Sequence, residues 1–111
     1  MEISKEVIEK VFEAIEIAKT SGKIKKGANE VTKAVEKATA KLAVVAKDVN
    51  PAEVVMHFGP LCKEKEVPLI FVPSKDELGT AAGIKRPTAA VAIINEGDAK
   101  NLLKEIIAEL K

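Results

Sequence analysis

From Glu2 to Thr20 the apolar residues Val7, Ile8, Val11, Phe12, Ala14, Ile15 and Ala18 recur at three- and four-residue spacing, which predicts an amphipathic helix. Ser4 supplies an N-cap and Gly22 stands where a helix stop is expected. Lys23-Ile24-Lys25-Lys26 alternates, so it is either a short strand or an extended lead-in. Gly27 turns the chain, and a second helix is expected from Asn29 to Ala38 with Val31, Ala34, Val35 and Ala38 inward. Between Lys41 and Lys47 lies a short apolar run with charged ends, the mark of a buried strand.

Asn50, Pro51 and Glu53 form an N-terminal pattern for a third helix running to about Lys65, burying Val54, Val55, Phe58, Leu61 and Cys62. Val67 to Val72 is a second apolar strand, with Pro68 tolerated near its start. Ser74 and Glu77 form a capping box that opens a short helix ending at Gly83. Thr88 to Ile94 is a third buried strand. Gly97-Asp98 opens a last helix with Leu102, Leu103, Ile106, Ile107 and Leu110 inward. Helices alternating with buried strands predict an α/β fold: a three-layer α/β/α sandwich on a small mixed sheet of about four strands. No linker, repeat or low-complexity segment interrupts the 111 residues, so one domain over 1–111 is expected.

Composition narrows the class. Apolar residues make up 47% and charged residues 32%, which argues against disorder. No apolar run approaches the roughly 18–20 residues that span a bilayer. The first residues, Met1 to Glu6, lack the basic-then-apolar order of a secretory signal. A soluble cytoplasmic protein is expected. Gln, Trp and Tyr are absent while Lys and Glu are plentiful, a balance that leans toward thermophiles.

Net charge is only +1, but it is segregated. Residues 1–18 carry two lysines against five acids, and residues 19–41 carry seven lysines against two. A local basic patch on a neutral body fits docking to a polyanion; a solvated lysine face fits it equally well.

Catalytic chemistry finds little support. Cys62 and His57 lie five apart on one expected helix, point to different faces and cannot pair as nucleophile and base. A single cysteine and a single histidine leave neither a disulfide nor a Cys- or His-based metal site. Phosphate-loop and dinucleotide fingerprints are missing, and Gly79 and Gly83 read as close packing and a helix stop. The carboxylates of Glu64 and Glu66 alternate with lysines and read as solvated. No enzyme activity, metal or cofactor is expected. Phe12, Phe58 and Phe71 sit at expected core positions, which disfavours a base-stacking platform.

The segment from Lys25 to Lys33 offers more. A glycine leading into a helix presents free amides and a positive dipole end to phosphate. Asn29, Glu30 and Lys33 lie on neighbouring first-turn positions and combine an amide, an acceptor-only carboxylate and a donor-only ammonium. The exposed Watson–Crick edge of guanine has N–H donors beside the O6 acceptor, so a Glu and a Lys together can read it. The local reading is that Asn29 caps the helix and Glu30 pairs with Lys33. Chemistry alone favours that local reading.

Gly-Lys-Ile-Lys-Lys-Gly-Ala-Asn-Glu-Val-Thr-Lys-Ala-Val-Glu (22–36) resembles the signature of the archaeal kink-turn RNA-binding ribosomal protein family, which includes the eukaryotic core protein of box C/D ribonucleoproteins. The resemblance spans nearly the whole chain. It continues through 40–49, Leu-Cys-Lys-Glu-Lys-Glu-Val-Pro (61–68), Ser-Lys-Asp-Glu-Leu-Gly (74–79), Gly-Ile-Lys-Arg-Pro (83–87) and Ala-Ile-Ile-Asn-Glu-Gly (92–97). The Gly-Ala-Asn-Glu-x-x-Lys motif in this setting is specific enough to reverse the local reading.

The resemblance implies that Asn29, Glu30 and Lys33 contact guanines of tandem sheared G·A pairs. It implies further that Lys26 and the Gly27 backbone hold phosphates at the bend. Ile84, Lys85, Arg86, Pro87 and Ala89 would cover a flipped-out nucleotide, with Val54 and Lys75 completing the pocket; the plainer reading of Ile84 to Pro87 is a connecting loop. The implied partners are kink-turn RNAs, namely rRNA, box C/D and H/ACA guide RNAs and the RNA of ribonuclease P (hence tRNA processing), together with ribonucleoprotein scaffold proteins. A monomer is expected when free.

This chain departs from the family pattern at Lys37-Ala38, where relatives usually carry Arg-Gly, and at Asn50, commonly a carboxylate. Its Lys85-Arg86-Pro87 loop is similar to the more selective eukaryotic one. The alternative function is a small-ligand or protein-binding regulatory domain of the same fold.

Overall fold

The computed structural model describes residues 5–49, 53 and 55–110. Among the described residues the elements follow in the order α1 (Lys5–Ser21), β1 (Lys23–Lys26), α2 (Ala28–Glu36), β2 (Leu42–Ala46), α3 (Phe58–Lys65), β3 (Leu69–Val72), α4 (Lys75–Ala81), β4 (Ala90–Asn95), the 3-10 turn Gly97–Ala99 and α5 (Lys100–Leu110). The alternating Lys23 to Lys26 segment is thus a strand. The strand order is β1-β4-β2-β3. β4 runs antiparallel to both its neighbours, whereas β2 and β3 are parallel.

Strand periodicity divides the core in two. Leu42, Val44 and Ala46 of β2, Val91 and Ile93 of β4, and Ile70 and Val72 of β3 face α1, α4 and α5. Ala43, Val45, Ala90 and Ala92 point the other way, onto α2 and α3 with Val31, Val35, Phe58 and Cys62. The sheet is therefore covered on both faces, which is why its central strands read as unbroken apolar runs. All five residues of β2 are buried. No described helix is long and apolar enough to cross a membrane.

The structure moves several expected boundaries. The third helix begins at Phe58, well after the expected start near Pro51. Pro60 explains this: it has no amide to continue a helix from upstream and its ring would meet the carbonyl four residues back, so it is tolerated only in a first turn. Ser4, Asn50, Pro51 and Val54 lie outside the described residues. Phe71 is 37% exposed on the edge strand β3, and Phe12 is only partly buried, so neither is the core residue expected. Leu102 and Ile107 are likewise half-buried. Ser74 caps α4 as expected, its hydroxyl accepting from the Glu77 amide at 3.2 Å.

Helix exits supply a further correction. The second helix ends at Glu36, and Ala38, expected to face inward on it, is exposed with φ 56°. Its amide donates to Val35 O and that of Thr39 to Ala34 O. Glu66, φ 57°, closes α3 in the same way, through its own amide to Lys63 O and that of Val67 to Cys62 O. Gly83, φ 79°, closes α4 with bonds to Thr80 O and from Ile84 to Gly79 O. Three helices share one left-handed exit, and only the third uses the residue that adopts it without steric cost.

Within α4, Gly79 is held by space. A Cβ there would lie 2.2 Å from the carbonyl oxygen of Arg86. The chain after α4 therefore lies directly on the bare backbone of the helix.

Ala38→Gly and Glu66→Gly are each expected to stabilise the fold by about 1 kcal/mol, the steric cost of a left-handed side chain less the entropy a glycine adds to the unfolded chain. Urea denaturation at unchanged slope reads this directly; an unmoved or lower midpoint contradicts it. Gly79→Ala is expected to cost about 1–3 kcal/mol and to shift the amide resonances of Ile84 to Arg86, because the loop must lift. Retained stability with unshifted resonances would show that the loop does not rest on Gly79.

Candidate nucleic-acid interface

Because β1, β2 and β3 run one way and β4 the other, the C-terminal ends of three strands and the N-terminal end of the fourth share one edge of the sheet. Carboxyl ends of strands are where open α/β sheets present their ligand-binding segments. At this edge β1 passes into α2, β3 into α4, and the loop 82–89 into β4.

The β1–α2 junction depends on Gly27. Its φ of 97° and ψ of 147° form a combination that residues with a side chain essentially never adopt, although a Cβ would meet nothing within 4 Å. Backbone conformation alone thus requires glycine. In this geometry the Gly27 amide donates to Ala90 O at 2.9 Å, and its carbonyl accepts from the Val31 amide at 3.0 Å, opening α2. No side chain caps the helix.

Asn29 therefore sits inside the first turn, exposed, and is not the cap that the local reading made it. The other half of that reading holds weakly. Glu30 Oε1 and Lys33 Nζ are 4.0 Å apart, with side chains 51% and 66% exposed. Such a pair contributes well under about 1 kcal/mol, so little opposes its opening toward a ligand. Lys26, the last residue of β1, is exposed beside them.

The second cluster lies on the loop before β4. Lys85, Arg86 and Pro87 are exposed, while Ile84 and Ala89 are half-buried. Thr88 is buried; its amide donates to Lys75 O at 3.2 Å and its hydroxyl to Ala90 O at 3.1 Å. Ala89 O accepts from the Ala46 amide at 2.9 Å. Lys75 opens α4, its amide donating to Asp48 Oδ1 at 2.8 Å. The loop is thus fastened to β2, α4 and its own strand. Through Ala90 it is joined to Gly27, so the two sequence-distant clusters share one edge. Val54, expected in the same pocket, lies outside the described residues.

Sequence reasoning missed three lysines. Lys23 and Lys25 of β1, Lys33 of α2 and Lys37 at its end line, with Glu30, a groove of about 270 Å³. The signal was present in the alternation of β1 and the four-residue step from 33 to 37. Only the packing of β1 beside α2 shows that the two rows converge. Another missed contact is Thr32 Oγ1 to His57 Nε2 at 2.7 Å, which ties the start of α3 to α2.

Cys62 is buried, and desolvation pushes its thiol pKa above the ordinary value, so thiolate is scarcer than in a free cysteine. Among the described residues no group of His, Cys, Asp and Glu is placed to hold a metal.

Residues 9–103 match the ribosomal protein L7Ae/L30e/S12e/Gadd45 family. The fold is similar to that of the Giardia lamblia 15.5kD RNA binding protein, with a TM-score of 0.91 and 31% identity, over 96% of this chain and 89% of that one. With a family match over most of the chain and a shared fold at 31% identity, this chain belongs to the ribosomal protein L7Ae/L30e/S12e/Gadd45 family.

Proposed function

We propose that this protein binds kink-turn or kink-loop RNA and stabilises its sharply bent form. The observation that carries the reading is the exposure of Asn29 and Glu30 on the uncapped first turn of α2, directly after a glycine-only junction, with Lys33 one turn further on. Membership of a ribosomal protein family and likeness to a protein described as RNA-binding support the ligand class.

The chemistry is complementary. A sheared G·A pair leaves the Watson–Crick edge of guanine free, so the Glu30 carboxylate can accept from its N–H groups while the Lys33 ammonium donates to O6. Asn29 supplies an amide able to do either. Lys26 and the amides of the first turn meet the phosphates, whose charge the helix dipole also favours. Lys23, Lys25 and Lys37 extend this positive surface away from the base contacts.

The loop with Ile84, Lys85, Arg86, Pro87 and Ala89 covers the extruded nucleotide, with Lys75 and Val54 beside it. Its apolar members shield one base and its two cations meet the flanking backbone. The protein binds the bent RNA better than the extended form, and the equilibrium follows. Its settings are rRNA of the large subunit and box C/D and H/ACA guide particles with their scaffold proteins, and in addition ribonuclease P. It catalyses nothing in them.

Affinity for a kink-turn duplex at about 150 mM salt tests this, against a duplex with both G·A pairs replaced by Watson–Crick pairs. The kink-turn is expected to bind far more tightly. Glu30→Ala should weaken that binding by about 5- to 150-fold, the loss of about 1–3 kcal/mol of base readout, and barely change the control. Lys26→Ala should weaken both duplexes alike and reduce the salt slope by about one. Equal, weak and steeply salt-dependent binding to both duplexes, indifferent to Glu30→Ala, would leave only a lysine patch and favour the regulatory-domain alternative.

A further inference from the structure

On the sheet face opposite α2, helices α1 and α4 pack side by side and leave a groove of about 630 Å³ between them. Its floor is apolar: Ile8 and Phe12, one helical turn apart on α1 and only half-buried, with Pro73 and buried Ala81 from the α4 side. Its walls carry four exposed carboxylates, Glu9 and Glu16 on α1 and Asp76 and Glu77 on α4, against the single ammonium of Lys5. Glu9 and Glu16 are two turns apart on one wall, spanning about 10 Å, while Asp76 and Glu77 stand on the other.

This charge repels nucleic acid, whereas Lys23, Lys25, Lys33 and Lys37 line a different groove, formed by β1 and α2. A half-buried phenylalanine and isoleucine flanked by carboxylates on two sides offer apolar anchoring to a segment whose rim is cationic. An amphipathic helix with apolar residues at three- and four-residue spacing and Lys or Arg beside them matches both features.

We propose that the α1/α4 groove is a docking site for a Lys/Arg-rich amphipathic helix of a partner protein, separate from the nucleic-acid interface. Leucine-sized side chains enter between Ile8 and Ala81, and cations at the flanks meet Glu9 and Glu16 on one side and Asp76 and Glu77 on the other. The site needs no RNA to form, so its occupancy is read on the free protein.

The probe is an amidated Leu/Lys peptide of about 18 residues, five helical turns, with its leucines on one face. The control has the same composition with leucines spread round the helix. Methyl and amide NMR of the full chain should show shifts confined to Ile8, Phe12, Thr80, Ala81 and their neighbours on titration with the amphipathic peptide. By fluorescence anisotropy at about 150 mM salt the control should bind at least about tenfold more weakly.

Glu9→Lys with Glu16→Lys, both at exposed positions, should reduce affinity for the probe by at least about tenfold without changing the melting temperature. The milder Glu9→Gln with Glu16→Gln should fall between. Equal binding of both peptides, shifts mapping outside the groove, or indifference to charge reversal would each overturn the proposal. Self-association of the free protein in sedimentation, abolished by the same charge reversal, would assign the groove to a second copy and overturn it as well.

Discussion

The carbonyl oxygen of Ala90 accepts two hydrogen bonds, one from the Gly27 amide and one from the Thr88 hydroxyl. The first fixes where α2 begins; the second holds the end of the loop that precedes β4. Both halves of the candidate interface therefore rest on one peptide group at the mouth of β4. That position is available only because β4, last of the strands in sequence, inserts between β1 and β2. Losing a buried bond of this kind costs about 1–3 kcal/mol, but the larger consequence is geometric. Without it, the direct link between the start of the helix and the end of the loop is lost.

The surface built on this frame is electrically divided. Lysines gather on β1 and α2, where the backbone also turns uncapped amides outward, whereas carboxylates gather on α1 and the first turn of α4. A net charge near zero hides this division. The two grooves therefore carry potentials of opposite sign. Close to the surface, selectivity falls to the few groups with directional hydrogen bonds. The Glu30–Lys33 pair, long and solvated, opens at small cost.

Much of this was legible in the chain. Apolar runs marked β2, β3 and β4, helical spacing marked α1, α2 and α5, and Ser74 marked the start of α4. The motif from Gly27 to Lys33 was visible as a string of donors and acceptors after a glycine. What local pattern could not give was pairing: the strand order and the bond from Gly27 to Ala90 join residues far apart in sequence. It also misplaced features governed by backbone geometry without a glycine to announce them. The left-handed exits at Ala38 and Glu66 carry no such mark. The expected start of α3 rested on the capping pattern at Asn50 to Glu53 alone and took no account of Pro60, which fits the late start. Lys23, Lys25 and Lys37 stood in the basic block, yet only the packing of β1 beside α2 brings them into one groove.

The central claim is that this edge of the sheet selects a bent RNA and draws the population into it. Energy transfer between dyes on the two helical arms of a kink-turn, in a buffer where the free RNA is mostly extended, measures this directly. The account predicts that added protein raises transfer in a saturable manner, with a midpoint equal to the dissociation constant read from an independent binding signal. Saturable binding that leaves the arms extended would contradict it.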